Sequence, residues 1–199
     1  MAQKIIELNC PGCGARVSSG MKECEWCHKP IFISTFNSVK DMSLPELSKF
    51  ANAYKKDLVN NPESVDLNGS IAMCYLKLKM YDEAIEHFAK AIEDNMDNSE
   101  YCFYAAVSLL KGKKAYLAKR PIINKIEEYI KAATMIEPRG IYFYFLAYIK
   151  YDFFERKALN TSPNYEEYLD NANQMGVSDY DIGVLFELLG VSKPDVLKL

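Results

Sequence analysis

Six cysteines are the residues of this sequence with the clearest capacity for chemistry, and four of them form two short pairs. Ten residues separate the pair Cys10 and Cys13 from the pair Cys24 and Cys27. Each C-x-x-C pair can fold into a tight turn that aims two thiolates at one point, and two such turns supply the tetrahedral sulfur shell that zinc prefers. Four cysteine ligands leave no open position for a substrate, so the spacing predicts one structural zinc ion. Iron in the same shell and a redox dithiol are the alternatives.

The rest of the N-terminal region fits a metal-stabilised β element. Gly14 follows the first pair, where the chain commonly needs a positive φ. Together these motifs resemble the zinc-ribbon family in its C-P-x-C-G form, across about residues 4–36, although His28 stands where the second turn usually has glycine. The resemblance implies a small ribbon domain over residues 1–36. Trp26, the single tryptophan, either packs on the ribbon strands or presents a contact surface to a partner. Runs typical of β-strands flank the cysteine pairs at residues 4–8, 15–18 and 30–35.

Hydropathy and charge limit the compartment and the class of partner. The chain starts without the apolar run of a signal peptide, and no stretch reaches the roughly 18 apolar residues of a membrane span. We therefore expect a soluble, cytoplasmic protein without a membrane partner, in which paired cysteines bind metal and do not form disulfides. The formal net charge of −3 gives no general signature of nucleic-acid binding.

Helical patterns occupy the rest of the chain. A polar segment, residues 37–43, is predicted to be a linker. Ser43-Leu-Pro-Glu46 has the form of a capping box with proline in the first turn, and it predicts the start of a helix that ends near residue 60. The second helical segment carries Ala72 and Tyr75, and the third carries Ala84, Phe88 and Ala91.

This alternation of small and aromatic residues resembles the tetratricopeptide repeat, in which small residues let two helices approach closely. The resemblance is strongest over residues 65–97 and recurs more weakly at residues 100–136, 141–175 and 178–190. It implies a mainly α fold, a tetratricopeptide-like helical repeat array (an α-solenoid) over residues 44–199 behind the small β zinc ribbon. Stacked repeats of this kind form a concave groove that binds peptides or partner helices.

The first helix of each pair carries more aromatic residues than one helix face can bury, since such a stripe spans little more than about 100° of the circumference. Some of these side chains are therefore predicted to line the groove and to bind an apolar or amphipathic segment of a protein partner. The chain's own residues 191–199 are a possible occupant. The predicted partner-binding residues are Met73, Phe103, Tyr104, Phe143, Tyr144 and Tyr148.

No combination of residues points to catalysis. There are only two histidines, His28 and His87, and His87 is predicted to lie on a polar helix face. No nucleophile with a base and an orienting acid, no phosphate-binding loop and no open metal site is visible. Cys74 and Cys102 stand among apolar helix residues and are predicted to be packing residues. We therefore expect a non-catalytic adaptor or scaffold. The alternative is a nucleic-acid-associated factor that uses the ribbon and the basic loop 111–120, but the acidic remainder of the chain and the negative thiolate shell disfavour it.

Overall fold

The computed structural model describes residues 5–94 and 97–198, and the expectations that fall on residues 1–4, 95–96 and 199 lie outside this range. The chain divides into two compact units, Met1–Met96 and Asp97–Leu199. The division into a ribbon at 1–36, a linker at 37–43 and a repeat domain at 44–199 stays a prediction.

The first unit begins with a small two-stranded sheet. Strand β1, Glu7–Asn9, pairs antiparallel with β2, Arg16–Ser18. Leu8 lies opposite Val17 in this register, and both side chains are buried, because alternate residues of a strand point to the same face. The third predicted strand, at residues 30–35, is reduced to an isolated bridge between Glu23 and Pro30.

Three helices follow in the first unit. They are α1, Leu44–Leu58, α2, Val65–Lys77, and α3, Tyr81–Asp94. The serine predicted to cap α1 does so, since Ser43 Oγ accepts a hydrogen bond of 3.4 Å from the backbone N–H of Glu46. Helix α2 packs against both α1 and α3, so it is the central helix of this unit.

The segment between the ribbon and α1 is part of the core of the first unit. Ile31, Ile33, Phe36 and Val39 are all buried, and Phe36 begins a short 3₁₀ turn. The backbone N–H of Ile33 donates a hydrogen bond of 2.8 Å to Ser70 Oγ on α2. Val39 of the predicted linker is therefore part of the core, and the neighbouring Phe36 ring lies 5.1 Å from Lys77 Nζ of α2.

The second unit holds five α-helices within the described residues. A 3₁₀ turn at Ala115–Leu117 lies between the first two of these helices. The third helix continues into a π turn at Lys150–Phe154 and a 3₁₀ turn at Glu155–Lys157. The helices are α4, Ser99–Ser108, α5, Arg120–Ile136, α6, Gly140–Ile149, α7, Tyr165–Gln174, and α8, Asp179–Leu189.

Sequential helices pair in both units, which is the arrangement of a helical repeat fold. In the second unit α4 packs on α5, α6 packs on α7, and α8 packs on both α4 and α6. The chain is thus mainly α-helical with a very small sheet, as the sequence predicted. Across residues 5–94 and 97–198, no helix is long and apolar enough to cross a membrane.

We predict that Gly140→Ala destabilises the protein by about 1–3 kcal/mol, the usual effect of overpacking a core. A Cβ at Gly140 would lie 2.7 Å from the backbone N of Val177 and 2.9 Å from the carbonyl oxygen of Ala172, and neither backbone atom can move aside cheaply. Urea unfolding followed by circular dichroism measures the effect.

The matched control is Gly183→Ala in α8, where an added Cβ meets nothing within 4 Å. This substitution should be neutral or stabilising by up to about 1 kcal/mol, because alanine is the better helix former. Equal unfolding midpoints for the two variants would contradict the close approach of α6 to the end of α7.

Candidate functional site

The four cysteines of the ribbon converge on one point. Their sulfur atoms all lie within 4.8 Å of one another, with 3.5 Å between Cys10 Sγ and Cys27 Sγ and 3.7 Å between Cys13 Sγ and Cys24 Sγ. Four ligands at the usual Zn–S distance of about 2.3 Å would stand roughly 3.8 Å apart at the corners of a tetrahedron. The separations are far longer than a disulfide bond of about 2.05 Å. The cluster could therefore hold a metal ion.

The two cysteine turns have the same backbone geometry. In the first, the N–H of Gly14 donates to the carbonyl of Cys10 at 2.8 Å, and in the second, the N–H of His28 donates to the carbonyl of Cys24 at 2.8 Å. Gly14 has φ +81° and His28 has φ +55°, so both turns end in the left-handed region. Glycine is favoured there, which explains the usual glycine at the position of His28.

The thiols occupy unequal surroundings. Cys10 and Cys24 are buried, whereas Cys13 is exposed and Cys27 is half-buried. Burial raises the pKa of the Cys10 thiol to about 12. Burial also opposes ionisation of Cys24, but the backbone N–H groups of Trp26 and Cys27 stabilise its thiolate and lower its pKa to about 7. A full set of four thiolates therefore requires a cation, which the sulfur donor set fits.

Polar contacts attach the cysteine ribbon to one face of α1. Asn9 donates from its backbone N and from Nδ2 to the Asp57 carboxylate at 3.1 and 3.2 Å. Lys29 forms an ion pair of 2.8 Å with Glu46, and this hydrogen bond raises the pKa of Lys29. Lys49 Nζ donates to the carbonyl oxygen of Gly12, inside the first cysteine turn. Both cysteine turns are thus connected to the first helix.

Trp26 shows which of its two predicted roles the fold allows. Its side chain, between Cys24 and Cys27, is 76% exposed, so it does not pack on the ribbon strands.

The same unit contains a cavity of about 620 Å³ between the ribbon and the start of α2, with walls that include Ile5, Phe32 and Val65. No local pattern in the sequence marks this cavity, because its walls come from four separate segments.

The structure places the predicted partner-binding residues mostly in the core. Met73 is buried in the first unit, and only Phe143 of the set keeps a half-exposed side chain. Aromatic neighbours account for this burial: Phe103 lies 4.9 Å from Tyr142 and 5.9 Å from Phe145 between ring centroids. The remaining residues of the set, Phe103, Tyr104, Tyr144 and Tyr148, are also buried.

The surplus aromatic residues of α6 are covered by α8 and the residues that follow it. The ring of Phe186 in α8 meets Tyr144 and Tyr148 edge-on, with centroid distances of 6.4 and 5.4 Å. Tyr144 Oη donates a hydrogen bond of 2.8 Å to the carbonyl oxygen of Leu197, whose side chain is buried. More than a stripe of about 100° is therefore buried on α6, because α8 and the residues after it cover this helix in addition to its hairpin partner.

The remaining residues with chemical capacity serve the fold. His87 Nδ1 lies 2.9 Å from Asn68 Oδ1, and burial lowers the pKa of this histidine. His87 therefore joins α3 to α2, where a position on a polar face was expected. Within residues 5–94 and 97–198, the ribbon cysteines are the one cluster of His, Cys, Asp or Glu side chains suited to holding a metal ion.

Comparisons with known proteins add little beyond the fold. No protein family and no curated protein matches the chain. Two solved structures that it resembles are those of MamA from MSR-1 and MamA from AMB-1, each with 17% identity and a TM-score of 0.49. The first match covers 65% of this chain and 67% of the other, and the second covers 75% and 84%. Similarity at this level transfers neither a function nor a partner, so the helix pairs described above define the fold.

We predict that Cys74 and Cys102 react slowly with a thiol reagent in the folded, metal-loaded protein. Both are buried, and burial raises the pKa of Cys74 to about 12 and also raises that of Cys102, so little thiolate forms at neutral pH. Labelling followed by mass spectrometry should show rates roughly a hundredfold below those of the urea-unfolded chain. Rapid labelling of both cysteines in native buffer would reopen a redox role.

Proposed function

We propose that this chain is a non-catalytic protein-interaction scaffold. Its second unit binds an apolar or amphipathic segment of a protein partner on the aromatic side of α6, and its ribbon carries one structural zinc ion. Helix pairs supply the rigid surface that such a scaffold needs, and four free thiols suit the reducing environment of the cytoplasm.

The observation that carries this proposal is the apolar segment already seated against α6. Leu197 is fully buried there, and Tyr144 donates a hydrogen bond to its backbone carbonyl. The region therefore has both of the properties that peptide binding needs: a buried place for an apolar side chain and a donor for the peptide backbone. A partner segment would bind by taking the place of the chain's own residues.

Zinc is proposed as the metal because the donor set is four sulfur atoms that lie within 4.8 Å of one another, and zinc prefers a tetrahedral sulfur shell. All four ligand positions come from the protein, so the ion would have no position for a substrate and would act on stability. Iron in the same shell is the competing assignment. Because Asn9, Lys29 and Gly12 all contact α1, the ion would also stabilise the attachment of the ribbon to that helix.

We predict about one equivalent of zinc per purified chain, measured by elemental analysis, and its loss in Cys13→Ser. The substitution should unfold the ribbon, residues 4–36, because so small a segment has little core of its own, and it should leave the helices largely intact. The contacts to α1 now predict that hydrogen exchange also quickens in α1, with α4–α8 unchanged.

Ser19→Ala is the matched control, since Ser19 lies on the ribbon outside the metal cluster. It removes a hydrogen bond of 2.9 Å from the backbone N–H of Ile6 and should retain the metal. Purified protein with unmodified thiols and less than about a tenth of an equivalent of zinc would contradict the assignment, and an equivalent of iron would favour the competing metal.

The alternative function is association with nucleic acid through the ribbon and the basic loop 111–120. The structure adds Arg156 and Lys157 to this positive region, because both lie over the ring of Tyr116 at 4.6 and 5.1 Å. The loop also has an internal role, since the backbone N–H of Tyr116 donates to Asp152 at 2.8 Å. Binding through this region would weaken steeply with salt.

We predict that a photoreactive phenylalanine analogue at Phe143 crosslinks a protein partner. Phe143 is the half-exposed member of the α6 aromatic set, so it is the aromatic residue of this helix that can be replaced without opening the core. The full-length chain is used, and the crosslinks should survive about 1 M salt because apolar contact is not screened.

The same analogue at Met135 is the control, since this α5 residue is 78% exposed. Crosslinking that is equal at both positions, or absent at Phe143, would contradict a site on α6. Recovery of nucleic acid at low salt, with loss at high salt, would favour the alternative function.

Truncation of Phe103 and Tyr144 to alanine would not be an informative test of this site. Both side chains are buried, so truncation would remove core packing at roughly 3–5 kcal/mol per aromatic residue and would unfold the site together with any binding.

A further inference from the structure

The last described residues form a segment distinct from α8, and residues 191–198 are called the tail below. Gly190 caps helix α8 directly after its last residue, Leu189. Gly190 has φ +65°, and its backbone N–H donates a hydrogen bond to the carbonyl of Phe186. The tail then contains one turn, in which the N–H of Leu197 donates to the carbonyl of Pro194 at 3.1 Å. Glycine at the helix end gives the chain a natural hinge between α8 and the tail.

Within residues 191–198, Leu197 is the one buried side chain. Its neighbour Val196 is 41% exposed, and Lys193, Asp195 and Lys198 are exposed as well. The hydrogen bond from Tyr144 Oη reaches the same residue, at its carbonyl oxygen. Leu197 is therefore the main anchor of the tail, since it inserts its side chain and presents its backbone acceptor, while Val191 and Pro194 are half-buried.

The receiving surface remains suited to a peptide when the tail is absent. Tyr144 and Tyr148 are held edge-on against Phe186, so the rings are positioned by α8 and not by the tail. Tyr144 would keep a phenol donor that its burial maintains in the protonated form, with a pKa raised to about 12. A buried donor without an acceptor is unfavourable, so another carbonyl group would be drawn to the same place.

Space beside the tail would allow a different segment to bind. A cavity of about 210 Å³ lies between the tail and the helix residues beneath it. Its lining includes the charged residues Lys114, Asp152 and Arg156 together with Lys193 and Asp195 of the tail. Asp152 and Arg156 are paired with each other at 2.5 Å, so the charge of Lys114 is the one on the helix side that a segment could newly engage.

We propose that the tail is a built-in competitor for the site on α6, and that the partner segment resembles it in chemistry: a turn with proline followed three residues later by a buried leucine, as in Pro194 and Leu197. This inference rests on the proposed function and names the class of segment that the scaffold binds. A tethered segment acts at an effective concentration on the order of millimolar. A chain whose tail occupies the site would therefore bind a free segment of the same intrinsic affinity only weakly.

The test measures binding of a fluorescent peptide with the sequence of residues 190–198 to full-length protein by anisotropy. Three proteins are compared: the unaltered chain, Leu197→Asp, and the matched control Val196→Asp, which places the same charge on the exposed neighbour. Leu197→Asp should bind the peptide at least roughly tenfold more tightly than the other two proteins. In this variant the tail no longer occupies the site, so a larger fraction of the protein is able to bind.

Two further variants test the contacts themselves. A peptide in which aspartate replaces the residue equivalent to Leu197 should not bind to any of the proteins. Adding Tyr144→Phe to the Leu197→Asp chain removes the phenol donor while keeping the ring, and it should weaken peptide binding several-fold.

Absence of peptide binding by folded Leu197→Asp, or equal binding by all three proteins, would overturn the proposal. A dimer of the unaltered chain that dissociates in Leu197→Asp would also overturn it, since the tail would then occupy a second copy. If neither Leu197→Asp nor Leu197→Ala folds by circular dichroism, the tail is a core element and the proposal is rejected. Crosslinking at Phe143 that persists through any of these results would leave the scaffold function standing.

Discussion

Helices that are apolar around their whole circumference impose the main constraint on this chain, because such a helix must be covered on every side. Helix α2 is buried without interruption from Leu67 to Leu76, and α6 is buried except at Phe143. A hairpin partner covers one side of each helix. Elements outside the hairpin pattern cover the rest: the segment 31–39 reaches α2 in the first unit, and α8 with the tail reaches α6 in the second. The two units thus meet the same physical requirement in different ways.

Polar groups inside these apolar surfaces decide which segment covers which helix. Ser70 on α2 accepts the N–H of Ile33, and Tyr144 on α6 donates to the carbonyl of Leu197. A buried polar group without a partner costs about 1–3 kcal/mol, so each bond selects one register of the covering segment, while apolar burial supplies most of the driving force. A buried polar group also orders the π turn. Its Asp152 accepts hydrogen bonds from the backbone N–H of Tyr116 at 2.8 Å and from Arg156 at 2.5 Å. The basic loop is thereby folded onto the second unit without any need for nucleic acid.

Local signals in the sequence were sufficient for the cysteine cluster and for the helices. Cysteine spacing identified Cys10, Cys13, Cys24 and Cys27 as a group that could hold a metal ion, and the cap predicted at Ser43 is present, with Oγ accepting the N–H of Glu46 at 3.4 Å. Long-range coverage was not accessible in the same way. Periodicity shows how much apolar surface a helix carries, but it does not show which later segment returns to cover it. For that reason the sequence alone predicts Tyr144 and Tyr148 to line an open groove and indicates residues 191–199 only as a possible occupant of it.

The two covering elements differ in how firmly they are attached, and this difference bears on where a partner can act. The segment 31–39 inserts Ile31, Ile33, Phe36 and Val39, and the ribbon before it is held on α1 by several polar contacts and, as proposed, by a metal ion. The tail inserts Leu197 within its described residues and leaves Val196 and its charged neighbours in solvent. Burial of a single leucine contributes about 1.5–3 kcal/mol, which a competing segment with one apolar side chain could match. Removal of the segment 31–39 would instead expose four apolar side chains together. Under the proposed function, exchange of a partner would therefore take place at the weakly attached surface of the second unit, and the segment 31–39 would stay packed in the first unit.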